Sequence, residues 1–200
     1  MPMALTVKRF SGSALADYLD AVAELRIGVF REFPYLYDGT PEYERSYLQT
    51  YVASPDSVVV VAFDGNRVVG ASTGIPMRAE EASFQKPFLD AGYDPARIFY
   101  CAESVLQSDY RGQGLGVRFF EEREAHAREL GEFDYYAFCA VVRPEDHPLR
   151  PASYKPLDSF WQKRGYQKHA ELRAHYTWKD IDQAEQSSKA MEFWLKSLTP

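Results

Sequence analysis

The chain has 200 residues, 23 Lys and Arg against 29 Asp and Glu for a formal charge of −6, and is 46% hydrophobic with 15% aromatic residues. At that length a single domain buries roughly 70% of its unfolded surface and needs neither disulfides nor a structural metal to hold it. The acidic balance works against a general nucleic-acid binder or an anionic-membrane binder, because both need a basic surface to meet phosphates. The first ten residues, MPMALTVKRF, lack a long apolar run and a small-residue cleavage site. No stretch approaches the roughly 18 apolar residues of a membrane span, so a cytoplasmic protein is expected. Cys101 and Cys139 stand in apolar runs without His or Cys at ligand spacing, and read as reduced core thiols rather than a disulfide or a metal site.

In chain order, Leu5 to Phe10 reads as a strand, followed by a helix whose Leu15, Leu19, Val22, Leu25 and Val29 recur at spacings of three and four. Pro34 ends it within the aromatic segment Phe33-Pro34-Tyr35-Leu36-Tyr37, and a more polar helix starts at Pro41 and runs towards Ala53. Ser57 to Phe63 and Arg67 to Ile75 are two apolar strands joined at Asp64-Gly65-Asn66, a hairpin turn inside a covered sheet. A helix over Ala79 to Leu89 and a strand over Arg97 to Leu106 come next; Glu103 is the one charged side chain on the strand face shared by Phe99, Cys101 and Val105. A glycine-rich loop then opens a helix that ends at Gly131, a natural C-terminal cap. Phe133 to Val142 reads as a strand, Leu157 to Arg164 as a short helix, and Tyr166 to Asp180 as one or two strands. The last segment, 182–198, reads as an amphipathic helix with Met191, Trp194, Leu195 and Leu198 on one side, packing on the domain or on a second copy in a homodimer.

The loop Arg111-Gly112-Gln113-Gly114-Leu115-Gly116 places several backbone N–H groups at the positive end of a helix. Such a nest suits a phosphate or pyrophosphate, and Arg111 adds a permanent charge beside it. It also suits a plain strand-to-helix turn. No Gly-Lys-Ser/Thr follows, so it is not a P-loop, and the glycine spacing is not that of a dinucleotide fold.

The run Val105-Leu106-x4-Arg111-Gly112-Gln113-Gly114-Leu115-Gly116 resembles the acyl-CoA signature Gln/Arg-x-x-Gly-x-Gly/Ala of the GNAT superfamily of N-acetyltransferases, and Phe160-Trp161-Gln162-Lys163-Arg164-Gly165-Tyr166 is similar to its later Tyr-x-x-x-Gly-Phe segment. The element order agrees from about Leu5 to Asp180. The resemblance implies a mixed α/β fold, a mostly antiparallel twisted sheet flanked by helices, forming an acetyltransferase domain over 1–180 with the helix of 181–200 appended. Its fourth and fifth strands, Arg97 to Leu106 and Phe133 to Val142, would splay to admit acyl-CoA. The backbone from Arg111 to Val117 would cradle the CoA pyrophosphate, the main chain of Val105 and Leu106 would bond the pantetheine arm, and Phe160 and Trp161 would border the donor.

The implied reaction moves an acetyl group from acetyl-CoA to a primary amine, on a small molecule or a protein, by direct attack on the thioester, with no metal. An alkyl amine with a pKa near 10 must lose a proton first. Glu103 is the candidate base, its pKa raised by an apolar setting; equally, it is a strand glutamate paired with an Arg or Lys across the sheet. The family's thiolate-protonating tyrosine has Trp161 in its register here, so Tyr154, Tyr166 or water would supply that proton. The departure at Trp161 also admits a non-catalytic acyl-CoA-binding module. Asp146 and His147 read as a solvated loop pair, and the 33–37 segment as a wall of the acceptor pocket or a hydrophobic plug.

Overall fold

A computed structural model describes residues 5–198. In chain order its elements are β1 (Leu5–Phe10), α1 (Leu19–Phe30), α2 (Pro41–Ala53), β2 (Val58–Asp64), β3 (Arg67–Pro76), α3 (Ala82–Asp90), β4 (Ile98–Tyr100), β5 (Ser104–Leu106), α4 (Leu115–Leu130), β6 (Tyr135–Val141), α5 (Asp158–Lys163), β7 (Gln167–Trp178) and β8 (Ser187–Ser197). The sheet runs β1-β2-β3-β4-β6-β8-β7, with β5 also pairing β3. Every pairing is antiparallel except β4 with β6, so the architecture is the mixed, mostly antiparallel sheet expected.

The valine runs explain the centre of this sheet. Along β2, Val59, Val61 and Phe63 face a core shared with α1 and α2, while Val58, Val60 and Ala62 face a second core under α4. Period two places successive side chains on opposite faces, and burial of both faces demands an apolar residue at every step. On α1 the apolar stripe closes the first core through Leu19, Val22 and Leu25. α2 is started by Thr40, whose hydroxyl oxygen accepts from the Tyr43 amide at 3.3 Å, with Pro41 in the first turn.

Three sequence expectations change. The single strand over Arg97 to Leu106 is two, β4 and β5, because Cys101-Ala102-Glu103 leave the ladder between them. The helix expected over 79–89 starts at Ala82. The amphipathic helix expected within 182–198 is instead the strand β8, inserted between β6 and β7. Met191, Phe193 and Leu195 alternate with Trp194, the first three entering the α1 and α2 core and Trp194 the α4 core. Thus the face read at helical spacing is split across two sides of a sheet, and Met191, Trp194 and Leu195 are buried within the domain itself.

Gly70 fixes how closely β3 and β5 approach. A Cβ there would stand 2.7 Å from Leu106 Cδ1 and 2.9 Å from Phe119 Cζ. Gly70→Val is therefore expected to destabilise the fold by about 1–3 kcal/mol through overpacking, read as a lower urea midpoint at unchanged slope.

Candidate active site

The break between β4 and β5 splits the sheet open. The Cys101 amide still donates to Ala137 O at 2.7 Å, the last bond from this segment to β6. Beyond it, β5 pairs β3 and the end of β6 pairs β8, leaving the facing edges of β5 and β6 without a mutual ladder. Bonds from Thr73 N to Glu103 O (2.9 Å) and from Gln107 N to Val69 O (3.0 Å) set the register. Hydrogen-bonded pairs alternate along an antiparallel ladder, so the Val105 main chain is turned to Ala71 while those of Ser104 and Leu106 face the gap. This corrects the expectation for Val105: the register gives the open edge to Leu106 and Ser104. The Val105 side chain is buried in the core.

At the Leu106 end of the gap stands the glycine loop. Gly112 and Gly114 adopt φ of +76° and +83°, and a Cβ on either would meet no heavy atom within 4 Å, so the loop presents bare backbone to open space. The first intrahelical bond of α4 runs from Arg118 N to Gly114 O (3.1 Å), which leaves the amides of Leu115, Gly116 and Val117 without helical acceptors. Leu115 plants its side chain in the core under α4, and Gln113 Nε2 donates to Asp109 O at 3.1 Å. Arg111 donates to Glu32 just past the end of α1 (2.9 Å) and to Leu106 O (3.2 Å). Phe160 borders Gly116, its ring 3.4 Å from where a Cβ would be. Trp161 lies edge-on to Phe138 and Trp194, with centroids 5.0 and 5.1 Å away, and serves the packing of the α4 core.

At the other end, Glu103 and Cys139 open on a cavity of about 590 Å³. α1 contributes Arg26, α2 contributes Tyr47, β7 contributes Tyr176 and Trp178, and the turn before α3 contributes Glu80. Of the aromatic segment 33–37, Tyr35 and Tyr37 line the same cavity.

Glu103 is not in an apolar setting. Its carboxylate accepts from Tyr47 Oη at 2.8 Å and from Thr73 Oγ1 at 2.9 Å, and it forms an ion pair with Arg26. The partner comes from a helix over the sheet rather than from a neighbouring strand. The Glu103 backbone is equally held: its carbonyl accepts from Thr73 N (2.9 Å), Ser72 Oγ (3.0 Å) and the buried Arg123 Nη1 (3.1 Å). Three donors on one carbonyl fix the strand break in place and with it the direction of the side chain.

Arg26 and Glu80 were not singled out from the sequence. Burial disfavours the Arg26 charge, but Glu103, Tyr47 and Glu44 outweigh it and hold the guanidinium firmly protonated. Arg26 also ion-pairs with Glu44, which is fully buried. The Glu80 carboxyl is pushed up to about 7, first by burial and then by the Glu103 charge. Burial likewise pushes the Cys139 thiol up to about 12, and both cysteines are free and buried.

Other expected residues lie elsewhere. Tyr154 packs on Phe33 with centroids 4.7 Å apart and under Arg150, and is not among the residues lining the cavity. Tyr166 is buried under α4, where its hydroxyl donates to Glu124 at 3.1 Å, so it is a core residue and not a proton donor for this site. His147 accepts from the Leu149 amide in the loop after β6. Among the described residues no helix is long and apolar enough to cross a membrane.

The family model described as Acetyltransferase (GNAT) family matches residues 19–152. Among solved structures, a ribosomal-protein-alanine N-acetyltransferase from Brucella melitensis aligns with a TM-score of 0.62 at 15% identity, covering 96% of this chain and 99% of that one. A GNAT-family acetyltransferase from Streptococcus pneumoniae gives 0.61 at 14% identity, with 98% and 100% covered. An acetyltransferase from Thermus thermophilus gives 0.57 at 18%, with 99% and 100% covered. At such identities the likeness is one of fold. No curated protein matches the chain significantly. With the splayed sheet, the glycine loop on α4 and a family match over more than half its residues, the chain belongs to the GNAT acetyltransferase family.

Proposed function

We propose that this chain is an N-acetyltransferase that takes the acetyl group from acetyl-CoA and delivers it to a primary amine by direct attack of the amine on the thioester. The reading is carried by one arrangement: the gap between β5 and β6 meets the free amides of α4 at one end and the Glu103 cavity at the other. Acetyl-CoA supplies an activated acyl group and a thiol leaving group. The residues present fit it, since the bare loop from Gly112 to Gly116 and the amides of Leu115 to Val117 offer donors for a pyrophosphate. Arg111 would exchange Glu32 for phosphate, Ser104 and Leu106 would bond the pantetheine amides, and Phe160 would flank the loop with Trp161 behind it.

Glu103 takes the proton from the amine, and Arg26, Tyr47 and Thr73 hold its carboxylate in one orientation towards the cavity. Protonation of the thiolate is assigned to water, because Tyr154, packed on Phe33, stands outside the lining of the cavity. The cavity favours a small, cationic acceptor: about 590 Å³ suits a small molecule, and aromatic walls with an excess of carboxylates attract an ammonium group. Packing in the core accounts for Trp161, so its presence lends the non-catalytic module no support.

A thiol-release assay with acetyl-CoA and a panel of primary amines tests the proposal. CoA release above background is expected with cationic amines carrying an apolar body. Acetyl-CoA hydrolysis alone across the whole panel would return the reading to a binding module.

A further inference from the structure

Two of the carboxyl groups that line the cavity, those of Glu103 and Glu80, are joined by hydroxyls. Tyr47 Oη donates to Glu103 Oε1 at 2.8 Å, Tyr47 Oη and Tyr51 Oη are 3.2 Å apart, and Tyr51 Oη lies 3.4 Å from Glu80 Oε1. This chain of four side chains has three oxygen–oxygen contacts. Each tyrosine brings one proton, so with both carboxylates charged only two of the three contacts can be hydrogen bonds. Tyr51 is fully buried, and its hydroxyl, which also meets the Thr73 side chain, has Tyr47 and Glu80 as its partners along this chain. One added proton, placed at either end, fills all three contacts. On Glu80 it gives Glu80 to Tyr51 to Tyr47 to Glu103; on Glu103 it gives the same chain in reverse.

We propose that Glu80 is the terminal proton store of the site, exchanging one proton with Glu103 through the hydroxyls of Tyr51 and Tyr47 and so drawing away the proton that the acceptor amine must lose. The acetyltransfer reading enters only in naming the amine as the source. In the forward direction an ammonium N–H bond breaks and its proton bonds to Glu103. Tyr47 Oη accepts from Glu103 Oε1 as its own proton passes to Tyr51 Oη, and the Tyr51 proton passes to Glu80 Oε1. Both tyrosines end neutral, no electrons are transferred, and the net change is one proton moved from the amine to Glu80, which later returns it to solvent.

The surroundings of Glu80 suit a store. It is buried, lines the cavity, and its other oxygen accepts from the Glu81 amide at 3.3 Å. The charged groups that face it are Glu103 and the neighbouring Glu81. Tyr100 of β4, Cys139 of β6 and Tyr176 of β7 also feel its charge, and burial pushes all three groups up, keeping them neutral. The guanidinium of Arg26 is already shared between Glu44 and Glu103. A carboxyl pushed up to about 7 can both accept and release a proton near neutral pH.

The test follows the carboxyl carbons of the unliganded protein by 13C NMR across pH, in wild type, Tyr51→Phe and Glu80→Gln. The expected result is a Glu80 midpoint near 7 whose step is also visible at Glu103, and loss of the shared step in Tyr51→Phe. A Glu80 midpoint in the ordinary carboxylate range, or an identical shared step in Tyr51→Phe, overturns the proposal. With an active acceptor, the acid limb of kcat/KM should move in Glu80→Gln and kcat should fall on the order of tenfold at little change in KM. An unmoved limb and unchanged kcat also overturn it. If no amine is acetylated, the NMR result still decides the relay, so failure of the enzyme reading and failure of the relay are distinguishable.

Discussion

Glu103→Gln lowers kcat/KM for the best amine acceptor by about 10²- to 10⁴-fold, the range that a positioned general base contributes. The amide copies the shape of the carboxylate and keeps an oxygen for Tyr47 or Thr73, but it cannot take a proton. Only amine molecules already neutral in solution then react. Since an alkyl ammonium has a pKa near 10, the variant rate should climb about tenfold per pH unit up to that value, where the wild type levels off earlier. The affinity for acetyl-CoA should stay close to wild type, because the loop and the α4 amides are untouched. Equal kcat/KM in variant and wild type at neutral pH would remove Glu103 from the chemistry. A melting curve accompanies the kinetics, since the variant also takes one carboxylate from Arg26.

Arg26→Met has the largest expected effect on stability. The guanidinium is almost fully buried between Glu44, which is wholly enclosed, and Glu103, with the rings of Tyr47 and Phe30 stacked 4.5 and 5.2 Å from its centre. Removing one member of a buried ion pair leaves the other uncompensated, at a cost of about 3–5 kcal/mol. For a chain of this size that lowers Tm on the order of 10 °C. Arg26→Met combined with Glu44→Gln should recover most of the loss, because the wholly enclosed charge of Glu44 is then gone and Glu103, which is partly exposed, keeps the hydroxyls of Tyr47 and Thr73; chemical denaturation of both variants gives the comparison. A single variant as stable as wild type would mean that methionine packs as well as the ion network does.

Much of the scaffold was legible in the residues. The hairpin of β2 and β3 shows in its valines, the loop and α4 in their glycines, and Glu103 in being a charge on an apolar strand face. Arg26 carried a readable signal as well: four residues after Val22, it is a charge on the buried stripe of α1. Glu80 carried none, since nothing local distinguishes a glutamate before α3 from any exposed one, and only the packing of α2, β6 and β7 around it removes its water. β8 was misread because Met191, Trp194, Leu195 and Leu198 fit a helix as well as Met191, Phe193 and Leu195 fit a strand. A short apolar run does not choose between the two periods, and the choice fell to the open edges of β6 and β7. The strand break at 101–103 was hidden because tertiary hydrogen bonds, not a glycine or proline, create it.

The place of β8 also bears on how the protein is made. Residues 187–197 are threaded between β6 and β7, so the wall of the gap formed by 135–141 has no partner on that side until those residues have left the ribosome. Until then β6 offers an apolar edge, with Phe138 and Trp161 unshielded by Trp194. Pairings so distant in sequence form late, and an unpaired edge in the meantime is a template for association with other chains. The nascent chain can therefore assemble the β2–β3 hairpin and its helices early, while the wall opposite β5 waits for the last strand and holds the site open to chaperones.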